Sequence, residues 1–334
     1  MKTRPLGQSG IETSIIGVGT WAIGGWSWGG TDEGASIRAI HASFDRGINL
    51  IDTAPIYGQG VSEEIVGKAL VDRRDKAILA TKCGLRWDSE DGEFSFTDGT
   101  IKVYRNNAPD AIREELERSL KRLQTDVIDL YQTHWQESIT PYEDTMAELL
   151  KMKQEGKIRA IGVSNVSTDI LGAYRDAGLV DSIQEKFSMV DMRHVENGLI
   201  PYAKEHNVAV LAYSPLDMGL LTGKIGPERQ FPEDDIRHGN PRFSVESREK
   251  VAVLLADLQP FAEELGLTMT QLVIAWSATY PGVTHLLCGA RNAQQAEENA
   301  EAASIDLDSG VVGKITAIVE QHAVSLPDPF GGED

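Results

Sequence analysis

Eight short apolar runs alternate with longer segments of helical period, and this alternation restricts the possible folds more than any other feature of the chain. The runs predict strands at 15–18, 50–52, 77–81, 127–132, 158–163, 182–186, 209–213 and 285–288. The intervening segments predict helices at 35–46, 62–71, 108–123, 141–155, 168–177, 196–206, 248–265 and 270–278. Strands that alternate with helices are typical of parallel βα units.

The number of units predicts one closed barrel. A chain of 334 residues is also long enough for two domains of roughly 150 residues each. Eight units of about 42 residues fill the whole length, however, and no linker rich in Pro, Gly or Ser divides them. We therefore predict an α/β fold of the (β/α)8 TIM barrel type, with residues 1–334 as a single domain. Residues 1–12 predict an N-terminal β-hairpin, residues 308–324 an extra C-terminal helix, and residues 328–334 a flexible tail.

The net charge limits the kinds of binding partner that we expect, and the cysteine content indicates the cellular compartment. The formal net charge of −19 repels nucleic acids and anionic lipid surfaces, so neither is an expected partner. No apolar stretch reaches the length of a membrane span or a signal peptide. The two cysteines, Cys83 and Cys288, fit neither a disulfide framework nor a metal-binding spacing. We expect a cytoplasmic protein without a metal, either a monomer or a homo-oligomer.

Reactive side chains collect where the predicted strands end. Asp52, Lys82 and His134 follow three successive strands, and Tyr57 lies just beyond Asp52. Each alone also suits a structural role, but strand ends of one barrel converge on a common face. A neighbouring ammonium stabilises a phenolate, so we expect Lys82 to lower the pKa of Tyr57. The group predicts proton transfer to a carbonyl oxygen, with the hydride supplied by a bound cofactor.

Two connections are too long for plain turns. Residues 84–107 follow the third strand and residues 215–247 follow the seventh, so both open onto the same face of a barrel. The second connection contains several glycines and basic residues, and we expect it to form a belt over a cofactor pyrophosphate. Five of the six tryptophans also lie in loops on this face, and aromatic walls suit apolar carbonyl substrates.

An alternative cofactor motif lies after the first strand. Residues 17–22 (GVGTWA) match the G-x-G-x-x-G/A pattern of dinucleotide-binding folds. That motif opens a helix at once and has an acidic partner about 20 residues further on. Here the next helix is postponed to about residue 35, and Asp52 lies too far along the chain. We therefore interpret these glycines as a loop that folds over a ligand.

Six short sequences together resemble the successive motifs of the aldo-keto reductases. They are residues 52–58 (DTAPIYG), 80–82 (ATK), 129–135 (DLYQTHW), 162–165 (GVSN), 212–216 (AYSPL) and 289–291 (GAR). The resemblance extends from the N-terminal hairpin to about residue 303, in the same order and spacing. The pattern is most similar to the microbial general stress or inositol-type branch and to the β subunits of voltage-gated potassium channels.

The resemblance implies a role for each matching residue. The catalytic residues would be Asp52, Tyr57, Lys82 and His134. The carboxamide of a nicotinamide cofactor would contact Ser164, Asn165 and Gln184, and its ring would stack on Tyr213. The pyrophosphate would be lined by Ser214, Leu216, Gly219 and Lys224, and the adenosine end by Arg291, Gln295, Glu298 and Asn299. Thr20, Trp21, Asp52, Pro215 and Gly289 would complete the cofactor contacts, and the substrate would meet Trp21, Tyr57, Trp87, His134 and Trp135.

One departure from the family pattern concerns the cofactor. In mammalian members an arginine that binds the 2′-phosphate of NADP stands where this chain has Gln295. Arg291 can take that task, because a guanidinium forks onto phosphate oxygens. The resemblance therefore implies reversible, NADP(H)-dependent reduction of aldehydes or ketones, with polyols as substrates of the reverse reaction. A redox-sensing subunit of the channel β type, with slow turnover, is the alternative.

Overall fold

Eight parallel strands close into a barrel, as the sequence predicts, in a computed structural model that describes residues 1–329. The strands of the described residues are β1 (Thr3–Pro5), β2 (Glu12–Ser14), β3 (Ile16–Gly19), β4 (Leu50–Asp52), β5 (Ile78–Cys83), β6 (Leu85–Arg86), β7 (Glu93–Asp98), β8 (Ile101–Arg105), β9 (Ile128–Thr133), β10 (Ile158–Ser164), β11 (Ser182–Lys186), β12 (Ala209–Tyr213) and β13 (His285–Gly289). The barrel runs in the order β3-β4-β5-β9-β10-β11-β12-β13 and closes by pairing β13 with β3.

Helices form the outer layer of the barrel. They are α1 (Glu33–Asp45), α2 (Val61–Leu70), α3 (Pro109–Leu123), α4 (Tyr142–Gln154), α5 (Thr168–Ala177), α6 (Arg193–Glu196), α7 (Leu199–Glu205), α8 (Val245–Leu265), α9 (Met269–Thr279), α10 (Ala293–Ala302) and α11 (Ser309–His322). Helix α3 illustrates their construction: Pro109 occupies its first turn, Ile112 and Leu116 face the core, and Gln124 ends it in a left-handed conformation. None of the helices in residues 1–329 combines the length and apolar composition that crossing a membrane requires.

Alternating side chains fill the inside of the barrel. Leu50, Ala80, Leu130, Ala160, Leu211 and Leu287 form one buried apolar cluster with Leu6 and Ile11. Leu6 and Ile11 lie in the connection between β1 and β2, so the N-terminal hairpin closes the bottom of the barrel. Since successive strand residues point to opposite faces, the intervening side chains pack outward against the helices.

The predicted elements differ from the structure in three places. Strand bounds agree within two residues, but the single helix predicted at 196–206 is two short helices, α6 and α7. Gly198 separates them with a φ of 85°, a conformation that other residues adopt only under strain. The long connection 84–107 was predicted without strands, yet it contains β6, β7 and β8, which form an antiparallel sheet beside the barrel mouth. Helix α10 was also absent from the predicted helices.

The C-terminal segment is tied to the barrel where a flexible tail was predicted. Arg242, which is fully buried, donates from Nη1 to the carbonyl oxygens of Leu326 and Pro327, at 3.4 and 2.8 Å. Asp328 accepts a hydrogen bond of 2.9 Å from Arg193 Nη1. Asn240 Nδ2 also donates to the carbonyl oxygen of Pro329 at 2.9 Å. Residues 328 and 329 are therefore bonded to the rest of the protein, and the prediction of a flexible tail is wrong for them. The rest of that prediction, residues 330–334, lies outside the described residues.

Candidate active site

A deep cleft opens at the carboxyl ends of the barrel strands, where active sites of this fold lie. Its volume is about 1370 Å³, and its wall includes Tyr57 and His134 as well as Glu298 and Asn299. Residues of the first βα loop, of the 215–247 connection and of the β7–β8 hairpin form its rim. All the predicted cofactor contacts line this cleft: Thr20, Trp21, Asp52, Ser164, Asn165, Gln184, Tyr213, Ser214, Pro215, Leu216, Gly219, Lys224, Gly289, Arg291, Gln295, Glu298 and Asn299.

The period of two along each strand explains why the polar residues converge. Leu50 and Ala80 point into the barrel, so Asp52 and Lys82, two residues further on, point the same way at its upper end. Lys82 pairs in register with Gln132 of β9, two residues beyond the inward-facing Leu130. Residues that cap an apolar interior in this way lie between the hydrophobic core and the cleft.

Lys82 is the centre of the catalytic group. Its Nζ donates to Asp52 Oδ1 at 2.6 Å, to the carbonyl oxygen of Thr53 at 2.9 Å and to the hydroxyl of Tyr57 at 3.1 Å. The ammonium thus has three oxygen partners although its side chain is fully buried. Lys82 itself does not line the cleft; it lies beneath Tyr57, whose hydroxyl separates it from a substrate.

Asp52 is held on its other side by two amides. Its Oδ2 accepts hydrogen bonds from Gln184 Nε2 at 2.8 Å and from Gln132 Nε2 at 3.2 Å. The two carboxyl oxygens of Asp52 thus have one ammonium and two amide donors as partners, and these hydrogen bonds fix the buried side chain. Gln132 was absent from the predicted site. Its position two residues after the inward-facing Leu130 was the available signal.

Burial governs the protonation of the catalytic groups. Burial raises the pKa of Tyr57 above its usual value of 10.0, and Lys82 opposes this effect without overcoming it, so the expected lowering of this pKa is wrong. Burial also opposes the charge of Lys82, but Asp52 and Tyr57 together raise the Lys82 pKa above 10.5. Burial, assisted by Lys82, holds the pKa of His134 well below 6.5. At neutral pH the site therefore contains a neutral phenol, an ammonium and a neutral imidazole.

Aromatic side chains border the catalytic group. The ring of His134 meets the ring of Tyr57 edge-on at 5.6 Å between centroids, and the Trp21 ring lies 6.4 Å from Tyr57. Trp135 also lines the cleft. Trp87, by contrast, packs against the small apolar cluster of Leu85 and Val103 and is absent from the cleft wall. The structure therefore brings four of the five predicted substrate contacts together and leaves Trp87 outside.

Asn165 links the predicted carboxamide contacts. Its Nδ2 donates to the carbonyl oxygen of His134 at 2.9 Å and to Ser164 Oγ at 3.1 Å, and its Oδ1 accepts from the Tyr213 hydroxyl at 2.9 Å. Ser164 Oγ donates in turn to the carbonyl oxygen of Gln184 at 2.7 Å. These four polar side chains form one connected surface beside the catalytic group.

Charged side chains mark the far end of the cleft. Lys224 Nζ lies 3.2 Å from Glu298 Oε2, and Glu298 Oε1 accepts from Thr268 Oγ1 at 2.8 Å. Arg291 donates from Nη2 to the carbonyl oxygen of Gly30 at 3.0 Å, and its backbone N–H donates to Gln295 Oε1 at 2.8 Å. The expected belt also reaches the first βα loop, because Ile236 N donates to the carbonyl oxygen of Ser27 at 2.7 Å.

The cleft suits a large ligand with several polar groups. Its volume of about 1370 Å³ exceeds what a single small substrate needs. Thr270 Oγ1 is buried in the cleft wall without a hydrogen-bond partner in residues 1–329, although buried hydroxyls are normally paired. A dinucleotide fits both the volume of the cleft and the amides, glycines and cations that line it.

Comparison with known proteins agrees with this geometry. Residues 15–320 match the aldo/keto reductase family. The chain is 40% identical to the aldo-keto reductase YhdN of Bacillus subtilis over 336 residues, which covers 100% of this chain and 97% of that protein. It is 41% identical to the NADH-specific methylglyoxal reductase of Escherichia coli over 313 residues, covering 92% of this chain and 95% of the relative.

A solved structure confirms the architecture. The glycerol dehydrogenase of Gluconobacter oxydans superposes with a TM-score of 0.86 at 39% sequence identity, covering 98% of this chain and 97% of that one. The motifs, the closed barrel and the relatives agree over nearly the whole length. The chain therefore belongs to the aldo/keto reductase family of oxidoreductases.

Proposed function

We propose that the protein reversibly reduces aldehydes or ketones to alcohols with a nicotinamide cofactor, and that Tyr57 is its general acid and base. The observation that carries this proposal is the contact of 3.1 Å between Lys82 Nζ and the Tyr57 hydroxyl, with Asp52 at 2.6 Å on the other side of the ammonium. A phenol supported in this way is a proton donor at the edge of a cleft that suits a dinucleotide.

Tyr57 transfers the proton in the reducing direction. A nicotinamide held by the residues of this cleft would supply the hydride for the carbonyl carbon. The proton goes from the Tyr57 hydroxyl to the carbonyl oxygen, and Tyr57 is left as a phenolate that takes a proton back from water. Because burial raises the pKa of Tyr57, the phenol is fully protonated at neutral pH and ready to act as an acid.

The other three residues stabilise this transfer. The Lys82 ammonium donates to the Tyr57 oxygen and so favours the phenolate that the reaction leaves. Asp52 keeps Lys82 charged and fixed in a buried position. The neutral imidazole of His134, next to the Tyr57 ring, donates a hydrogen bond that orients the substrate oxygen.

The pH dependence of reduction follows from these three groups. The pKa values of Tyr57 and Lys82 are raised and that of His134 is lowered, so none of them titrates between about pH 7 and about pH 9. We expect kcat/KM for aldehyde reduction to be flat across this interval and to fall only at higher pH, as Tyr57 loses its proton. Initial rates at constant ionic strength measure this. An alkaline fall centred below pH 9 would contradict the raised pKa of Tyr57.

The cofactor is proposed to lie along the cleft. The nicotinamide would contact Ser164, Asn165, Gln184 and Tyr213, the pyrophosphate would contact the 214–224 segment, and the adenosine would lie near Asn299 and Glu298. We propose NADPH over NADH, since Arg291 and Lys224 supply positive charge at the far end of a strongly acidic protein. The relative from Escherichia coli is NADH-specific, and Glu298 beside Lys224 is the feature of this chain that opposes a 2′-phosphate.

Arg291→Ala tests this cofactor preference. If Arg291 binds the 2′-phosphate, its loss raises the Kd for NADPH about tenfold and leaves the Kd for NADH unchanged. Fluorescence titration of both cofactors measures the two constants. Lys102→Ala, which removes an exposed cation outside the cleft, serves as the control. Equal effects of Arg291→Ala on NADPH and NADH would overturn the assignment of Arg291.

The substrate is proposed to be a small carbonyl compound bounded by Trp21, His134 and Trp135. The names of two relatives concern methylglyoxal and glycerol, so hydroxylated aldehydes and polyols belong in the substrate panel with apolar aldehydes and ketones. NADPH and NADH titrations followed by this panel test the proposal. If the protein bound neither NADPH nor NADH, the proposal would be overturned.

A cytoplasmic location and a single domain complete the proposal. Cys83 and Cys288 are both buried and unpaired, which suits a reducing compartment. Limited proteolysis tests whether the chain forms a single domain. A single domain predicts that no stable fragment accumulates from cleavage within the barrel.

A further inference from the structure

The turn at Asn165 is the point where four barrel strands meet the cleft. Asn165 follows β10, and its side chain contacts His134 after β9 and Tyr213 at the end of β12. Its backbone N–H donates to the carbonyl oxygen of Gln184 on β11 at 3.3 Å. Asn165 adopts a left-handed conformation with a φ of 55°, which asparagine tolerates better than most residues other than glycine. The contacts of its side chain and of its backbone N–H hold this turn in place.

Glu185 lies behind the turn, on the side away from the cleft. It follows Gln184 on β11, so its side chain points outward, opposite to that of Gln184. Glu185 is fully buried, and its Oε1 accepts a hydrogen bond of 3.0 Å from the backbone N–H of Val166. The carboxyl thus holds the backbone N–H of the residue that directly follows Asn165.

Few polar groups share this buried site. Glu185 Oε2 has no hydrogen-bond partner in residues 1–329, and Nε2 of His194 lies 3.5 Å from it. Burial raises the pKa of Glu185 to about 8 and lowers that of His194 to about 4, so the pair is uncharged at neutral pH. An ionisable group is costly to bury, and an apolar side chain would fill the same space without that cost. The hydrogen bond to the Val166 N–H is an interaction that the carboxyl makes and that an apolar side chain could not make.

We propose that Glu185 is a positioning residue for the cofactor: it fixes the Asn165–Val166 turn and thereby sets the affinity for the nicotinamide end. This inference rests on the proposed function, since it assumes that the surface formed by Asn165 and its partners receives a nicotinamide. Glu185 itself touches neither the cleft nor a ligand. It acts only through the backbone that carries Asn165.

Glu185→Met tests the proposal, because methionine fills a similar volume without an acceptor for the Val166 N–H. Losing the hydrogen-bond partner of the buried Val166 N–H allows the turn to shift, and we expect the Kd for NADPH or NADH to rise about tenfold. Glu185→Gln retains an oxygen acceptor and should bind within about twofold of the unmodified protein. Fluorescence titration gives the Kd values without any need for turnover.

A matched control lies at the other end of the same two strands. Asp181, just before β11, is also fully buried, and its Oδ2 accepts a hydrogen bond of 2.9 Å from the N–H of Ile161 on β10. Asp181→Leu removes the same kind of hydrogen bond, together with the ion pair of 3.4 Å between Asp181 Oδ2 and Lys153 Nζ, at the end of the strands away from the cleft. We expect a loss of thermal stability similar to that of Glu185→Met, with the cofactor Kd unchanged within about twofold.

The outcomes separate this inference from the proposed function. Failure of the unmodified protein to bind either cofactor overturns the proposed function and this inference with it. Normal binding by the unmodified protein, with an equal Kd for Glu185→Met, overturns the inference alone, and so does equal weakening by Asp181→Leu. Should Glu185→Met fail to fold, Glu185→Asp carries the test, since its shorter carboxyl cannot reach Val166 N and should also weaken binding.

Discussion

Replacement of Tyr57 by phenylalanine is expected to lower kcat for aldehyde reduction about 10³-fold, because the carbonyl oxygen then has no proton donor. Phenylalanine keeps the ring that meets His134 and Trp21, so the shape of the cleft is preserved. It removes one of the three oxygens around Lys82 Nζ and leaves Asp52 Oδ1 and the Thr53 carbonyl in place. The ammonium remains compensated, and the fold should tolerate the change.

Cofactor affinity distinguishes a chemical role of Tyr57 from a structural one. We expect the Kd for NADPH or NADH to stay within about twofold of the unmodified protein in Tyr57→Phe. Single-turnover kinetics with saturating cofactor and aldehyde measures the chemical step, and fluorescence titration measures binding. Turnover at the unmodified rate would remove Tyr57 from the mechanism, whereas parallel loss of binding would indicate that its role is structural.

Replacement of Arg242 by methionine is expected to lower the free energy of unfolding by about 3–5 kcal/mol, since one partner of a buried ion pair is lost. Arg242 and Asp217 are both fully buried, and Arg242 Nε lies 2.9 and 3.0 Å from the two carboxylate oxygens. Burial raises the pKa of Asp217, and Arg242 is the foremost group that opposes this rise. Without Arg242, Lys186 Nζ remains near Asp217 at 3.9 Å.

The same substitution releases the C-terminal segment. Arg242 also holds the carbonyl oxygens of Leu326 and Pro327, and these residues precede Asp328 in the cleft wall. Urea unfolding measures the stability change, and the KM for aldehyde should rise while the cofactor Kd changes little. Arg159→Met is the control, because Arg159 is half exposed and its buried partner Asp129 keeps Arg74 at 2.8 Å, so Arg159 should contribute less than about 1 kcal/mol. Equal stability of the two variants would contradict the account of Arg242.

The barrel could be predicted because its signals are local. Each strand is a short apolar run, and each helix has its own hydrophobic period and end signals. Eight strand–helix repeats are the number that closes a (β/α)8 barrel. The antiparallel sheet of β6, β7 and β8 was not predicted. The strand β7 (EFSFTD) alternates between polar and apolar residues within a mostly polar sequence, and among the described residues it pairs only with the neighbouring β8. The break at Gly198 and the anchoring of residues 326–329 depend on tertiary contacts that leave no periodic signal.

The positions of the catalytic side chains could be predicted from the same pattern of strands, but their protonation states could not. Asp52, Lys82 and His134 follow strands, and strand ends of a barrel meet on one face. The pKa of Tyr57 depends on how deeply the hydroxyl is buried relative to its distance from Lys82, which a sequence does not contain. Burial outweighs the ammonium, which reverses the predicted direction. Glu185 and Arg193 became visible only through their contacts, whereas the period of two along β9 could have indicated Gln132.

Stopped-flow mixing of the protein–NADPH complex with excess 4-nitrobenzaldehyde tests the central claim most directly. Loss of NADPH absorbance reports each hydride transfer, and free NADPH in the mixture allows repeated cycles. A carbonyl reductase with Tyr57 as its acid predicts many turnovers for each site and almost none for Tyr57→Phe. No oxidation of NADPH or, in a parallel run, of NADH would contradict it. A single slow turnover that then stops would also contradict it, and is the behaviour of a redox-sensing subunit.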